Sequence, residues 1–499
     1  MPMTRVEMAL PPGCLLNGTI RQARGRWYMA DKVRWTQGVV APIGGWQARS
    51  ASTVTGSARA IWTWVDNGAA KWIAIGTHSK LYVMKRDGSL FDITPVGLTV
   101  GREDASVAGG YGAGTYGSGL YGTPRLTTGL VQDATVWTLD NYGEDLIGCN
   151  ADDGKIYLWD TSVGTGTVAA ALTGAPTSNR ACMMTEEGFV VALGAGGDPR
   201  VVQWSDKRGS TTWTPSATNE SGSYTLQTSG RIMCGRRTRG AHLIFTDQDV
   251  HQGVYQGPPY VYGYQRVGEG CGIVSQAAAV ASGNMVAWMG SAGFWVYDGY
   301  VRPLPSDCWD YVFSDFNQVQ KSKVFAIHNP DFSEITWHYP SGGSTEVNRY
   351  VTWNTQDNTW WVGTMDRTCG IERGAFHVPI MVGTDGVVYE HETGNAMGGA
   401  QPYCETGPFE WPDATGIGNR VYTVLLLRPD ERTIGDVQAT FYVRMSAEDT
   451  DTTYGPYTLT DRTMLRFTGR EVRMRLTGVA LSDWRVGAFQ MEVKPRGFR

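Results

Sequence analysis

The chain has 499 residues, enough for roughly two to four domains and a large core. Gly (64 residues) and Trp (19) are abundant while charged residues make up only 18 %, a balance that fits many short strands and tight turns and excludes disorder and long helices. The net charge of −5 excludes a generally basic nucleic-acid binder, but not a protein past which DNA slides without sticking.

Residues 1–60 open on MPMTRVEMALPPG, which has no apolar run of the secretory kind, so the expectation is a protein made in the cytoplasm. Arg24, Arg26 and Arg34 interleave with Trp27, Tyr28 and Trp35. This is either a binding arm for an acidic partner or phosphate, or an edge strand whose Trp residues pack inward and whose Arg residues face water. The segment is expected to join the domain that follows.

Lys71–Thr94 shows the unit on which residues 61–400 are built. The apolar run Trp72-Ile73-Ala74-Ile75 leads through a turn to Leu81-Tyr82-Val83-Met84 and then to a tighter turn at Asp87-Gly88. β-Branched and aromatic residues suit a pleated surface, and Gly supplies the positive φ of a turn. Copies start at Trp72, Asp145, Phe189, His242, Val286, Val324 and Ile380. A period of about 40–50 residues with several strands per copy predicts an all-β β-propeller of about six to eight repeats, since no copy buries both faces alone.

The first gap is long because residues 98–130 intervene, with Tyr111, Tyr116 and Tyr121 spaced among Gly, Ser and Thr. Such a stretch lacks the apolar density for a core. It reads as an insertion, either a flap with aromatic tips or a surface loop. Residues 201–214, VVQWSDKRGSTTWT, partly resemble the Asp-box turn of sialidase-like propellers, a device that stabilises turns. Arg231, Arg236, Arg237 and Arg239 form a cluster suited to phosphate or to an interface.

Residues 306–322 place Trp309, Val312, Phe313, Phe316 and Val319 on one helical face, with Ser306 or Asp307 as the cap. From about 400 the repeat stops. Val437, Ala439, Phe441 and Val443 alternate with polar residues, as do Val472, Met474 and Leu476. Strands that bury one face predict a separate β-sandwich-like domain over residues 401–499.

No catalytic, cofactor or metal signature stands out. The seven histidines show no HExxH and no Cys partner at zinc spacing. There is no GxSxG elbow and no P-loop. The eight cysteines are scattered without a CxxC pair, as expected of free, buried thiols. No apolar run is long enough to span a membrane. The expectation is a protein that is not an enzyme and needs no cofactor.

One resemblance gathers these observations. Arg26-Trp27-Tyr28, Val33-Arg34-Trp35, Pro42-Ile43-Gly44-Gly45-Trp46, Ile73-Ala74-Ile75-Gly76-Thr77-His78 and Leu81-Tyr82-Val83 resemble the start of short-tailed phage virion proteins. Glu334-Ile335-Thr336-Trp337-His338-Tyr339-Pro340, Arg349-Tyr350-Val351 and Lys494-Pro495-Arg496-Gly497 are similar to later parts of the same proteins. The family resembled is the podophage tail nozzle, also called tail tubular protein B or the packaged-DNA-stabilising tail hub. The resemblance implies a structural virion protein without enzymatic activity, located in the tail and assembled in the host cytoplasm. It implies a homohexameric ring below the adaptor and portal that retains packaged DNA, carries tail fibres or spikes, and forms the channel through which double-stranded DNA passes without sequence-specific binding. In that setting Tyr111, Tyr116 and Tyr121 become candidates for a channel gate, and Arg24, Arg26, Arg34, Arg231, Arg236, Arg237 and Arg239 for interface contacts. The alternative is a propeller glycan-binding protein or glycoside hydrolase, such as a virion depolymerase.

Overall fold

The computed structural model describes residues 4–107, 131–409, 411, 421–432, 434–446 and 448–496. Seven four-stranded antiparallel sheets follow one another along the chain. Their first strands are Ala58–Val65, Trp137–Tyr142, Ala181–Met184, Ile232–Thr238, Ala279–Ser282, Phe325–Asn329 and Arg367–Ile371. Each first strand packs against the first strands of its neighbours, and the last packs against the first, so the sheets close a ring. The protein is therefore a β-propeller with seven blades, numbered here in chain order.

The apolar runs of the sequence are the second and third strands of the blades. In blade 1, Lys71–Thr77 is followed by Leu81–Lys85, and Ile73, Ala74, Ile75, Val83 and Met84 have no exposed surface. Six of the seven copy starts fall at or beside a second strand. Val324 instead precedes the first strand of blade 6, whose second strand is Glu334–Tyr339. Closure uses a strand from the other end of the chain. Trp46–Ala48 is the fourth strand of blade 7, with His391 opposite Trp46 and Tyr389 opposite Ala48. Trp46 stacks on His391 at 5.5 Å between ring centroids, and Arg367 lies over the same indole.

The remaining strands form a β-sandwich. One sheet has the order Val33–Thr36, Val39–Pro42, Val486–Pro495, Tyr422–Glu431, Thr463–Gly469, with Thr4–Met8 also paired to Val486–Pro495. The other has the order Trp27–Asp31, Tyr403–Thr406, Glu471–Gly478, Val437–Arg444, Thr452–Thr458. Val437–Arg444 buries every second residue, as its alternation predicts. The first forty residues thus differ from expectation. Within residues 1–60 only Trp46–Ala48 and the start of Ala58–Val65 belong to the propeller, while the strands between Thr4 and Pro42 complete the C-terminal sheets.

One apolar core runs from the sandwich into blades 4 to 6. Trp27 contacts Trp35 at 6.0 Å, and Trp35 contacts Trp361 at 5.6 Å. Both N-terminal Trp residues are buried, so the basic-aromatic pattern is a packing pattern. Truncating a buried Trp costs about 3–5 kcal/mol, so this stack holds the two lobes together strongly.

The expected helix over 306–322 is much shorter, Trp309–Ser314. Ser306 Oγ accepts from the amide of Cys308 and forms a turn, leaving the helix without a side-chain cap. Asn317 Oδ1 accepts from the amides of Val319 and Gln320, which breaks the chain out of helix. The apolar face survives as a connector between blades 5 and 6, with Val312 and Phe316 buried.

Candidate functional site

The first strands of the blades surround a cavity of about 470 Å³ on the propeller axis. Small residues make the room: Ala60, Gly235, Ala279, Ala326 and Gly370 line it beside Trp62. A Cβ on Gly370 would lie 2.4 Å from Ile327 Cδ1, so adjacent first strands approach too closely for a side chain there. At about 470 Å³ the cavity has room for a small molecule and not for a DNA duplex.

One end of the axis is covered. The chain between blades 1 and 2 crosses it twice, on the way out to Val107 and on the way back from Val131, with Ser106 paired to Gln132 and Val107 to Val131. This is the base of the predicted insertion. Tyr111, Tyr116 and Tyr121 lie outside the described residues.

The base is held by groups from around the ring. Gln320 makes a two-point bond with Ala105: its Oε1 accepts from the Ala105 amide and its Nε2 donates to the Ala105 carbonyl, both at 2.9 Å. Ser322 Oγ accepts from the amide of Ala134 at 3.2 Å. Lys323, with no exposed side-chain surface, pairs with Asp104 and donates to Thr345 O at 2.6 Å. Arg59 grips Glu346 through two nitrogens at 2.9 and 2.8 Å and donates to the Glu103 carbonyl at 3.0 Å. Asp133 accepts from Arg180 at 2.9 Å and Arg231 at 3.1 Å. Buried cations persist only when paired and hydrogen-bonded, and here the pairing partners belong largely to the insertion and its surroundings. Arg59, Gln320, Ser322, Lys323 and Glu346 escaped the sequence reading because partners about 190 to 290 positions apart leave no spacing signal.

The predicted basic residues do not form one patch. Arg231 is at the covered end, bound to Asp133 and Asp247. Arg236 and Arg237 line the axial cavity. Arg236 donates to the carbonyls of Ala279 and Gln276 at 3.0 and 2.8 Å, and Arg237 pairs with Asp140 at 3.0 Å. Burial pushes Asp140 above the ordinary carboxylate range against the pull of Arg237. Arg239 is exposed in the turn after the first strand of blade 4, and Arg24 is exposed beside the sandwich. Arg26 reaches Asp307 at 3.4 Å.

Arg34 is a correction to the expected interface set. It is 4 % exposed and its guanidinium is shared between Glu334 of blade 6, at 2.9 Å from Nε, and Glu392, at 3.0 Å from Nη1. The Phe332 ring covers it at 3.6 Å. Arg34 therefore joins sandwich to propeller inside the chain. Burial, reinforced by Glu392 and opposed by Arg34, lifts Glu334 to about 7. A cavity of about 60 Å³ adjoins this joint, lined among others by His338, whose two ring nitrogens have no hydrogen-bond partner among the described residues. Burial pushes His338 down to about 3.

All eight cysteines are buried and unpaired. Among the described residues no group of three or more His, Cys, Asp or Glu is placed to hold a metal ion. No described helix is long and apolar enough to cross a membrane.

No protein-family model matches the chain, and no curated protein does. Among solved structures the matches are distant. The WD40 domain of Neurospora crassa Pan2 is 9% identical, with a TM-score of 0.40 over 69% of this chain and 94% of that one. Virginiamycin B lyase from Staphylococcus aureus is 8% identical, with a TM-score of 0.39 over 69% and 99%. BamB from Moraxella catarrhalis is 12% identical, with a TM-score of 0.32 over 71% and 94%. These likenesses are too distant to carry an argument, and no function is taken from them.

Proposed function

We propose that this chain is a structural virion protein, the nozzle of a short-tailed phage, whose copies form a ring below the adaptor, retain packaged DNA and form the channel for its ejection. The observation that supports this reading most is a convergence. Two of the stretches that resemble nozzle proteins, around Arg34 and over Glu334–Val351, are about 300 positions apart but meet at one joint. Arg34 binds Glu334, and the amide of Lys32 donates to Tyr350 Oη at 3.0 Å. A joint of this kind makes sandwich and propeller one stiff unit, which suits a part that bears load in an assembly.

The axial cavity refines the reading. The axial cavity is small and covered at one end, so in the proposed nozzle a duplex would run past the propeller and not through it. The conduit of the proposed ring then lies between copies, with partners being further copies of the chain, adaptor and portal, and tail fibres or spikes. The overall charge of −5 disfavours sticking to phosphates.

The experiment is to make particles in cells where this protein is depleted and to measure the DNA they hold. The nozzle reading expects filled heads to lose their DNA and the distal tail to be missing. The second reading, a glycan-binding or glycan-cleaving propeller, is favoured by the open end of the axial cavity. It expects particles that keep their DNA but fail to adsorb.

A further inference from the structure

At the uncovered end of the axial cavity three side chains from three successive blades form a line. Ser282 ends the first strand of blade 5, His328 lies in the first strand of blade 6, and Glu372 directly follows the first strand of blade 7. Ser282 Oγ is 3.1 Å from His328 Nε2, and His328 Nδ1 is 3.6 Å from Glu372 Oε2. Glu372 lines the cavity, and Ser282 and His328 each follow a lining residue, Ala281 and Ile327. All three are partly open to solvent.

The charge of Glu372 favours one tautomer of His328. Glu372 Oε2 is shielded and has no hydrogen-bond partner among the described residues. The cation next to it in sequence, Arg373, is bound to Asp331. His328 Nδ1 faces this oxygen at 3.6 Å, beyond direct hydrogen-bond reach, and a proton on Nδ1 would be directed at the carboxylate. In that tautomer Nε2 is a lone pair that accepts from the Ser282 hydroxyl at 3.1 Å. This is the tautomer in which a histidine acts as general base toward a serine while a carboxylate orients the ring.

We infer that Ser282 is an activated nucleophile and that the open mouth of the axial cavity hydrolyses small carboxylic esters. Ser282 Oγ bonds to the ester carbonyl carbon while its proton passes to His328 Nε2. The carbon–oxygen bond to the alcohol breaks, and the alcohol leaves with that proton. Water then attacks the acyl-serine, gives its proton to the same nitrogen, and the acid departs as Ser282 recovers its hydrogen. Glu372 touches no reacting atom and is a positioning residue. This goes beyond a structural role in a tail and does not depend on it.

The sequence shows no elbow motif because these residues come from three blades, and only ring closure brings them together. The probe is a fluorophosphonate, which bonds covalently to activated serines. The full-length protein is labelled, and the modified peptide is identified by mass. The expected result is phosphonylation at Ser282, none there in Ser282→Ala, and rates at least tenfold lower in both His328→Gln and Glu372→Gln. p-Nitrophenyl acetate should show a burst of one nitrophenol per chain in the native protein alone. Glu372 sits at the rim, so its variant keeps the fold, and unchanged melting of each variant is the control. Absent labelling at Ser282, or labelling that proceeds at the native rate in either variant, overturns the inference.

Discussion

Arg34 Nε lies 2.9 Å from Glu334 Oε1, joining a sandwich strand to a propeller blade across 300 positions of sequence. The pair is enclosed, and with Glu392 it leaves two carboxylates facing one guanidinium. Removing the cation strands both. Arg34→Met is therefore expected to cost about 3–5 kcal/mol of stability, read as a lower urea midpoint. A variant with the native midpoint would show that the joint is not held by this pair.

The same joint sets a pH dependence. Glu334 is lifted to about 7 from an ordinary 4.5, so the folded state holds a proton that the unfolded state gives up between these values. Its contribution to stability is full below about 4.5 and is lost as pH rises through about 7. His338 has the opposite sign, because its value falls from 6.5 to about 3 and stability is lost as pH drops below 6.5. The quantity to read is thus the difference between the native protein and Glu334→Gln. From pH 5 to pH 8 the urea midpoint of the native protein should fall relative to that of the variant. Parallel profiles would contradict the assignment.

The base of the insertion is expected to loosen locally. Gln320→Ala frees both backbone groups of Ala105, and an unmet buried amide or carbonyl costs about 1–3 kcal/mol. The amide of Ala105 should exchange with solvent at least tenfold faster, while amides of blades 5 and 6 keep their protection. Equal exchange in the two proteins would mean that the remaining clamps suffice without Gln320.

The buried cysteines should be silent in the native state. Burial lifts Cys182 and Cys369 to about 12 and Cys271 to about 11, and only the thiolate reacts readily. A disulfide reagent at pH 8 is expected to modify fewer than one thiol per native chain and all eight after denaturation. Rapid reaction of several thiols in the native state would contradict the packing.

The repeat was legible because each blade needs an apolar second and third strand. Runs such as Ile73-Ala74-Ile75 and Val286-Ala287-Trp288 are buried on both sides and stand out from their turns. The alternation at Val437–Arg444 was legible for the complementary reason, that one of its faces is polar. What the chain does with its ends was hidden. Thr4–Met8 pairs with Val486–Pro495, and nothing local in TRVEM names that partner. Trp35 and Arg34 follow one another in sequence, yet both are buried, because a sandwich sheet meets the propeller there and covers the side that would face water. The clamp around Ala105 and the line from Ser282 to Glu372 were hidden likewise, since each exists only after the ring has closed.

The central claim is a place in a virion, and the most direct measurement is antibody-gold labelling of particles from a lysate that makes this protein, viewed by negative stain. Gold confined to the short tail below the neck is the predicted result. Gold on peripheral fibres, or on no particle at all, would contradict the account.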